Sequence, residues 1–76
     1  MNKARRASIS KIIAAIEAAK SDLEEIRDDE QDAMDNMPES LWESDRYTQM
    51  EEAVDNLEQA LDDLDGAIDS MNDAMG

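Results

Sequence analysis

The 76 residues carry 7 lysines and arginines against 21 aspartates and glutamates, a formal charge of −14, with no cysteine and no histidine. A chain this short makes one small domain at most, and it has neither disulfides nor thiolate metal sites to staple it. Without histidine it also lacks the commonest general base and metal ligand, and its acidity disfavours direct binding to nucleic acid.

The start, Met1-Asn2-Lys3-Ala4-Arg5-Arg6, is basic like the head of a signal peptide, but Lys11 falls where the apolar core of one should run. A helix start is expected instead. No apolar run approaches the roughly 18–20 residues of a membrane span. No membrane association is therefore expected, and a cytoplasmic location is.

From Ile9 the apolar residues Ile9, Ile12, Ile16, Ala19, Leu23 and Ile26 step by three and four, followed by Glu30 and Ala33. This is a heptad seam with Ile9 at a, widened by Ile13 and Met34 at e. Good helix formers fill the rest, and neither glycine nor proline interrupts residues 1–37. A helix over about 3–35 is predicted. Glu30 breaks the seam. It is read as an acid reaching solvent or Arg46, with a buried functional carboxylate as the alternative.

Asn36-Met37-Pro38-Glu39-Ser40 ends the first helix, because proline disfavours helical geometry at the residue before it. Pro38 to Trp42 can form a short helical turn within a bend over 36–44. Leu41, Trp42 and Tyr47 gather there with Met37. They are read as the cap of the core, with a docking patch as the alternative.

The second helix, about 45–75, has its N-cap at Ser44 or at Thr48, whose partner Glu51 would complete a capping box. Its seam runs through Met50, Val54, Leu57, Leu61, Leu64, Ile68, Met71 and Met75 without a break. Ala53, Ala60, Ala67 and Ala74 line its g edge. Glu51, Asp55, Glu58, Asp62, Asp65 and Asp69 line e and b. Gly66, at f, should weaken this helix without ending it.

Two long helices joined by a short bend predict an all-α antiparallel hairpin in a single domain, 1–76. Antiparallel pairing sets e against e, so Lys20 should meet Asp65, and Arg27 should meet Glu58. It sets Ala15, Asp22 and Asp29 against Ala67, Ala60 and Ala53. It also brings Lys3, Arg5, Arg6 and Lys11 beside Asp69 and Asp73, which offsets unfavourable dipoles at both helix ends. The alanine edge beside Leu57, Leu61 and Leu64 exceeds what one partner helix covers. A homodimer forming a four-helix bundle is therefore expected, or a target protein covering that surface.

Catalysis and cofactors find no support. Asp62-Asp63-Leu64-Asp65-Gly66 resembles part of a calcium loop, but Leu61 and Asn72 stand where the anchoring ligands belong. The serines have no base partner, a bundle metal site would need histidine, and no cofactor is expected.

The charge is divided unevenly. Residues 1–20 hold five cations and one acid, whereas residues 21–76 hold two cations and twenty acids. A face needing only solubility normally mixes both signs. Acids at steps of three and four sit about 5–6 Å apart, approaching the spacing of phosphates along a strand. Asp28, Asp32 and Asp35 on the first helix, with Glu51, Asp55, Glu58, Asp62, Asp65 and Asp69 on the second, are the candidate contacts for a basic groove. The expected partner is a host nucleic-acid-binding protein. The rival expectation is a non-enzymatic structural or regulatory adaptor that binds through its apolar seam.

Asn36-Met37-Pro38-Glu39-Ser40-Leu41, Glu43-Ser44-Asp45-Arg46 and Met50 to Ala60, with the basic start, resemble a group of small acidic proteins encoded by bacteriophages and prophages. The resemblance implies a phage context and, by class and charge, similarity to DNA mimics that block restriction or CRISPR enzymes. No contact residue carries over from it.

Overall fold

A computed structural model describes residues 1–76. Helix α1 spans Lys3–Asp35, a single 3-10 turn spans Glu39–Leu41, and helix α2 spans Asp45–Met75. The two helices run antiparallel in a hairpin measuring 59 × 15 × 12 Å. There are no strands.

The helix ends follow local chemistry. Asn2 caps α1, its Oδ1 accepting from the Arg5 amide at 2.8 Å. Ser44 caps α2, its Oγ accepting from the Tyr47 amide at 3.2 Å. Thr48, the alternative cap, lies inside the helix and turns its hydroxyl back to the Ser44 carbonyl. The capping box with Glu51 is therefore not made. Pro38, in extended geometry, leads into the 3-10 turn, and the Ser44 hydroxyl donates to the Leu41 carbonyl at 2.6 Å to close the bend.

The seam of α2 is the predicted one. Val54 and Leu61 are buried, and Met50, Leu57, Leu64, Ile68, Met71 and Met75 are half-buried. The seam of α1 corrects the sequence reading. Its covered residues are Ile9, Ile13, Ile16, Lys20, Leu23, Arg27, Glu30 and Met34, with Glu24 and Gln31 half-buried beside them at e. Ile13 and Met34 are the buried pair, whereas Ile12 and Ile26 remain 52% and 56% exposed. With Ile13 at a, Lys20 and Arg27 also become a residues, and Ile12, Ala19, Ile26 and Ala33 move outward to g.

Both registers share Ile9, Ile16, Leu23 and Glu30, so the choice lay between Ile12/Ala19/Ile26/Ala33 and Ile13/Lys20/Arg27/Met34. The second set fills more volume. The long stems of lysine and arginine can cover apolar surface while their heads reach out to carboxylates. For Lys20 that destination is Asp65 on the e edge of α2, and for Arg27 it is the adjacent Asp28 of α1.

Candidate interaction surfaces

Rotation of α1 sorts the hairpin into two unlike flanks. In an antiparallel pair e faces e and g faces g. On the e side lie Glu17 and Glu24 of α1 with Glu51, Glu58 and Asp65 of α2. The adjoining b positions add Asp28, Asp35, Asp55, Asp62 and Asp69. Eight of the nine predicted contact acids thus share one flank. Asp32 does not; at f it faces outward on the back of α1.

Two cations lie within this acidic flank. Lys20 Nζ bonds Asp65 Oδ1 and approaches Glu24 Oε1 at 3.7 Å. The hydrogen bond to Asp65 is the main cause that raises the Lys20 pKa above the usual lysine value, while partial desolvation opposes it. The predicted Lys20–Asp65 pair is therefore formed, although from an a position. The Arg27–Glu58 pair is not. Arg27 instead donates from Nε and Nη2 to its neighbour Asp28 at 3.1 and 2.9 Å. Asp35 accepts from Gln31 at 3.1 Å. Glu51, Asp55, Glu58, Asp62 and Asp69 have no ion-pair partner, which leaves α2 as the open acidic row.

At the free ends of the helices, Lys3, Arg5, Arg6 and Lys11 make no ion pair with Asp69 or Asp73. Arg6 instead reaches toward Gly76, and the Ser10 hydroxyl toward the Met75 sulfur at 3.7 Å. Glu30 is half-buried in the seam and forms no pair with Arg46.

The opposite flank carries small and apolar residues along its g positions, edged at c by Asp22, Asp29 and Asp63. Lys20 level with Asp65, and Ser10 level with Met75, fix the helix register. Ile12 then lies beside Ala74, Ala19 beside Ala67, Ile26 beside Ala60, and Ala33 beside Ala53. The predicted facing of Ala15, Asp22 and Asp29 against the alanines is corrected: those three sit one position further round, at c. Ala53 and Ala60 are half-buried, and Ala67 and Ala74 are exposed. The Ile12-Ile13 doublet carried the signal for this flank, since adjacent helix residues point about 100° apart and only one of the two can lie at the centre of the seam.

At the bend, Trp42 stacks on Tyr47 with ring centroids 6.3 Å apart and planes at 29°. Its Nε1 donates to the Met37 carbonyl at 3.0 Å. The pair closes the end of the hairpin, yet Leu41 and Trp42 each keep 46% of their surface exposed. The hairpin encloses no cavity, and no helix is long and apolar enough to cross a membrane. Comparison of the chain with protein-family models, curated proteins and solved structures returned no match.

Proposed function

We propose that this protein is a phage-type acidic inhibitor. It imitates nucleic acid and occupies the basic groove of a host DNA- or RNA-binding defence protein of the restriction or CRISPR kind. The observation that carries this reading is the sorting of charge: ten carboxylates of the two helices lie on one flank of a 59 Å rod, and on α2 Glu51, Asp55, Glu58, Asp62 and Asp69 have no ion-pair partner. A rigid array loses little freedom on docking, and each carboxylate that meets a target lysine or arginine substitutes for a phosphate contact. The protein acts without catalysis or cofactor, in the cytoplasm of the host, and does not itself bind nucleic acid. Two copies associate through the alanine-bearing flank into a four-helix bundle.

The test is competition. A host protein captured by the chain at 50 mM salt should be released by 500 mM salt, and its own DNA or RNA should displace it. Equal binding at both salts, or a ternary complex with nucleic acid, overturns the proposal. A second reading is favoured by the exposure of Leu41 and Trp42. In that reading the chain is a structural or regulatory adaptor that docks through apolar surface, with the acids keeping it soluble. Asn or Gln in place of the outer acids would then leave partner binding intact.

A further inference from the structure

We infer that α1 has two seats on α2, related by a turn of about 50° about its own axis, and that this turn regulates the charge of the acidic flank. The rotation stands on the side chains of the two helices alone. Its consequence for inhibition rests on the function proposed above.

The first observation is that α1 carries two overlapping seams. Ile9, Ile16, Leu23 and Glu30 form a middle row common to both. On one side of it runs the row of Ile13, Lys20, Arg27 and Met34, which α2 covers in the structure. On the other side runs the row of Ile12, Ala19, Ile26 and Ala33, left open with both isoleucines more than half exposed. Adjacent helix residues point about 100° apart, and the middle row bisects that angle, so a turn of about 50° carries α1 from one pair of rows to the other.

The second is that the exchange is close to balanced. In the turned seat Ile12 and Ile26 enter the seam as Ile13 and Met34 leave it, two large apolar side chains for two. Lys20 and Arg27 move out to e, opposite Asp65 and Glu58, so neither cation is stranded. Asp22 and Asp29 come to g beside Ala60 and Ala53, whose small side chains leave those carboxylates in water.

The third is that little holds the present seat. Four residues are buried and no side chain is fully enclosed. The polar ties between the helices are Lys20 to Asp65 and Ser10 to Met75. The first re-forms after the turn, and the second is a weak hydroxyl–sulfur contact at the open end of the hairpin. Packed helices of this kind move between discrete arrangements as units.

The turn changes what the acidic flank presents. In the present seat α1 sets Glu17, Glu24, Asp28 and Asp35 there, with Lys20 and Arg27 drawn into the seam. The turned seat carries Asp28 and Asp35 to f, on the back of α1, and brings both cations to e, against the α2 row. A polycation therefore favours the present seat, and shifts the balance only as far as its affinities for the two seats differ.

The test reads isoleucine methyl groups by nuclear magnetic resonance, with a soluble paramagnetic agent that broadens exposed methyls. In the parent chain Ile12 and Ile26 should broaden several-fold more than Ile13. The double variant Ile13→Gln with Met34→Gln should remain helical, with Ile12 and Ile26 several-fold better protected than in the parent. Lys20→Leu with Arg27→Leu, which strengthens the present seat, should keep both exposed. Loss of helix in the first variant, or a folded hairpin with Ile12 and Ile26 as exposed as in the parent, overturns the turned seat. Exchange on the millisecond scale at Ile12, Ile13 and Ile26 of the parent should be damped by decalysine and absent from the leucine variant. A parent without such exchange overturns the regulatory role. If the glutamine variant takes the turned seat yet displaces nucleic acid from the captured host protein as the parent does, the link to inhibition is overturned and the rotation stands. Failure of the parent itself to displace nucleic acid overturns the inhibitor reading alone.

Discussion

Lys20 occupies a seam position that pattern rules reserve for apolar residues. Its aliphatic stem lies along α2 while its ammonium bonds Asp65, a division of labour open to long cationic side chains. Because the folded state raises its pKa, the pair's contribution to stability is fully present below the usual lysine value, about 10.4, and is lost as pH climbs through the raised value. Thermal unfolding of the parent and of Lys20→Met, compared from pH 7 to 11.5, should show the parent losing stability relative to the variant only on the alkaline limb. A constant difference across that range would contradict the pairing. Gly66 offers a simpler check. A methyl group added there meets nothing within 4 Å, so Gly66→Ala should stabilise α2 by about 1 kcal/mol, read as a raised urea midpoint.

For each helix, the apolar period marked its existence and its extent, and on α2 it marked the buried face as well. Met50 to Met75 offers only one face of large apolar residues, bordered by alanines on one edge and on the other by carboxylates that no hairpin would bury unpaired. On α1 two faces compete, one through Ile12 and Ile26, the other through Ile13 and Met34. Counting hydropathy favours the first, because Ala19 and Ala33 outscore Lys20 and Arg27. The winning face depends on what α2 presents opposite, which a single helix's period does not contain. The acidic flank was legible in consequence only in part: the α2 row follows from its unambiguous register, while Asp32 falls out of the α1 row once that helix is rotated. Two substitutions separate the faces. Ile13→Ala, which empties a buried position, should destabilise the hairpin by about 2–5 kcal/mol. Ile12→Ala should cost far less in urea unfolding at low micromolar concentration. Equal costs would restore the rejected register.

As a whole, the molecule is a thin two-sided rod. One flank repels itself and other anions; the other lacks a cover. With a net charge of −14 on so small a chain, self-repulsion opposes folding and association alike. Raising salt from 50 to 500 mM should therefore raise the thermal midpoint and strengthen self-association, while weakening any complex held by the acidic flank. These opposite signs distinguish the two flanks without any substitution. They also separate the inhibitor from the adaptor, because a partner docked on Leu41 and Trp42 would be insensitive to salt or held more tightly by it.

The most direct test is inhibition by a variant in which Asp55, Asp62 and Asp69 are all replaced by lysine. These three form the outer row of α2, touch no ion-pair partner, and lie away from the seam and the apolar flank. Assayed against the captured host protein, with helicity and sedimentation unchanged, the triple variant should no longer displace nucleic acid from that protein. Displacement as strong as that of the parent chain would contradict the account.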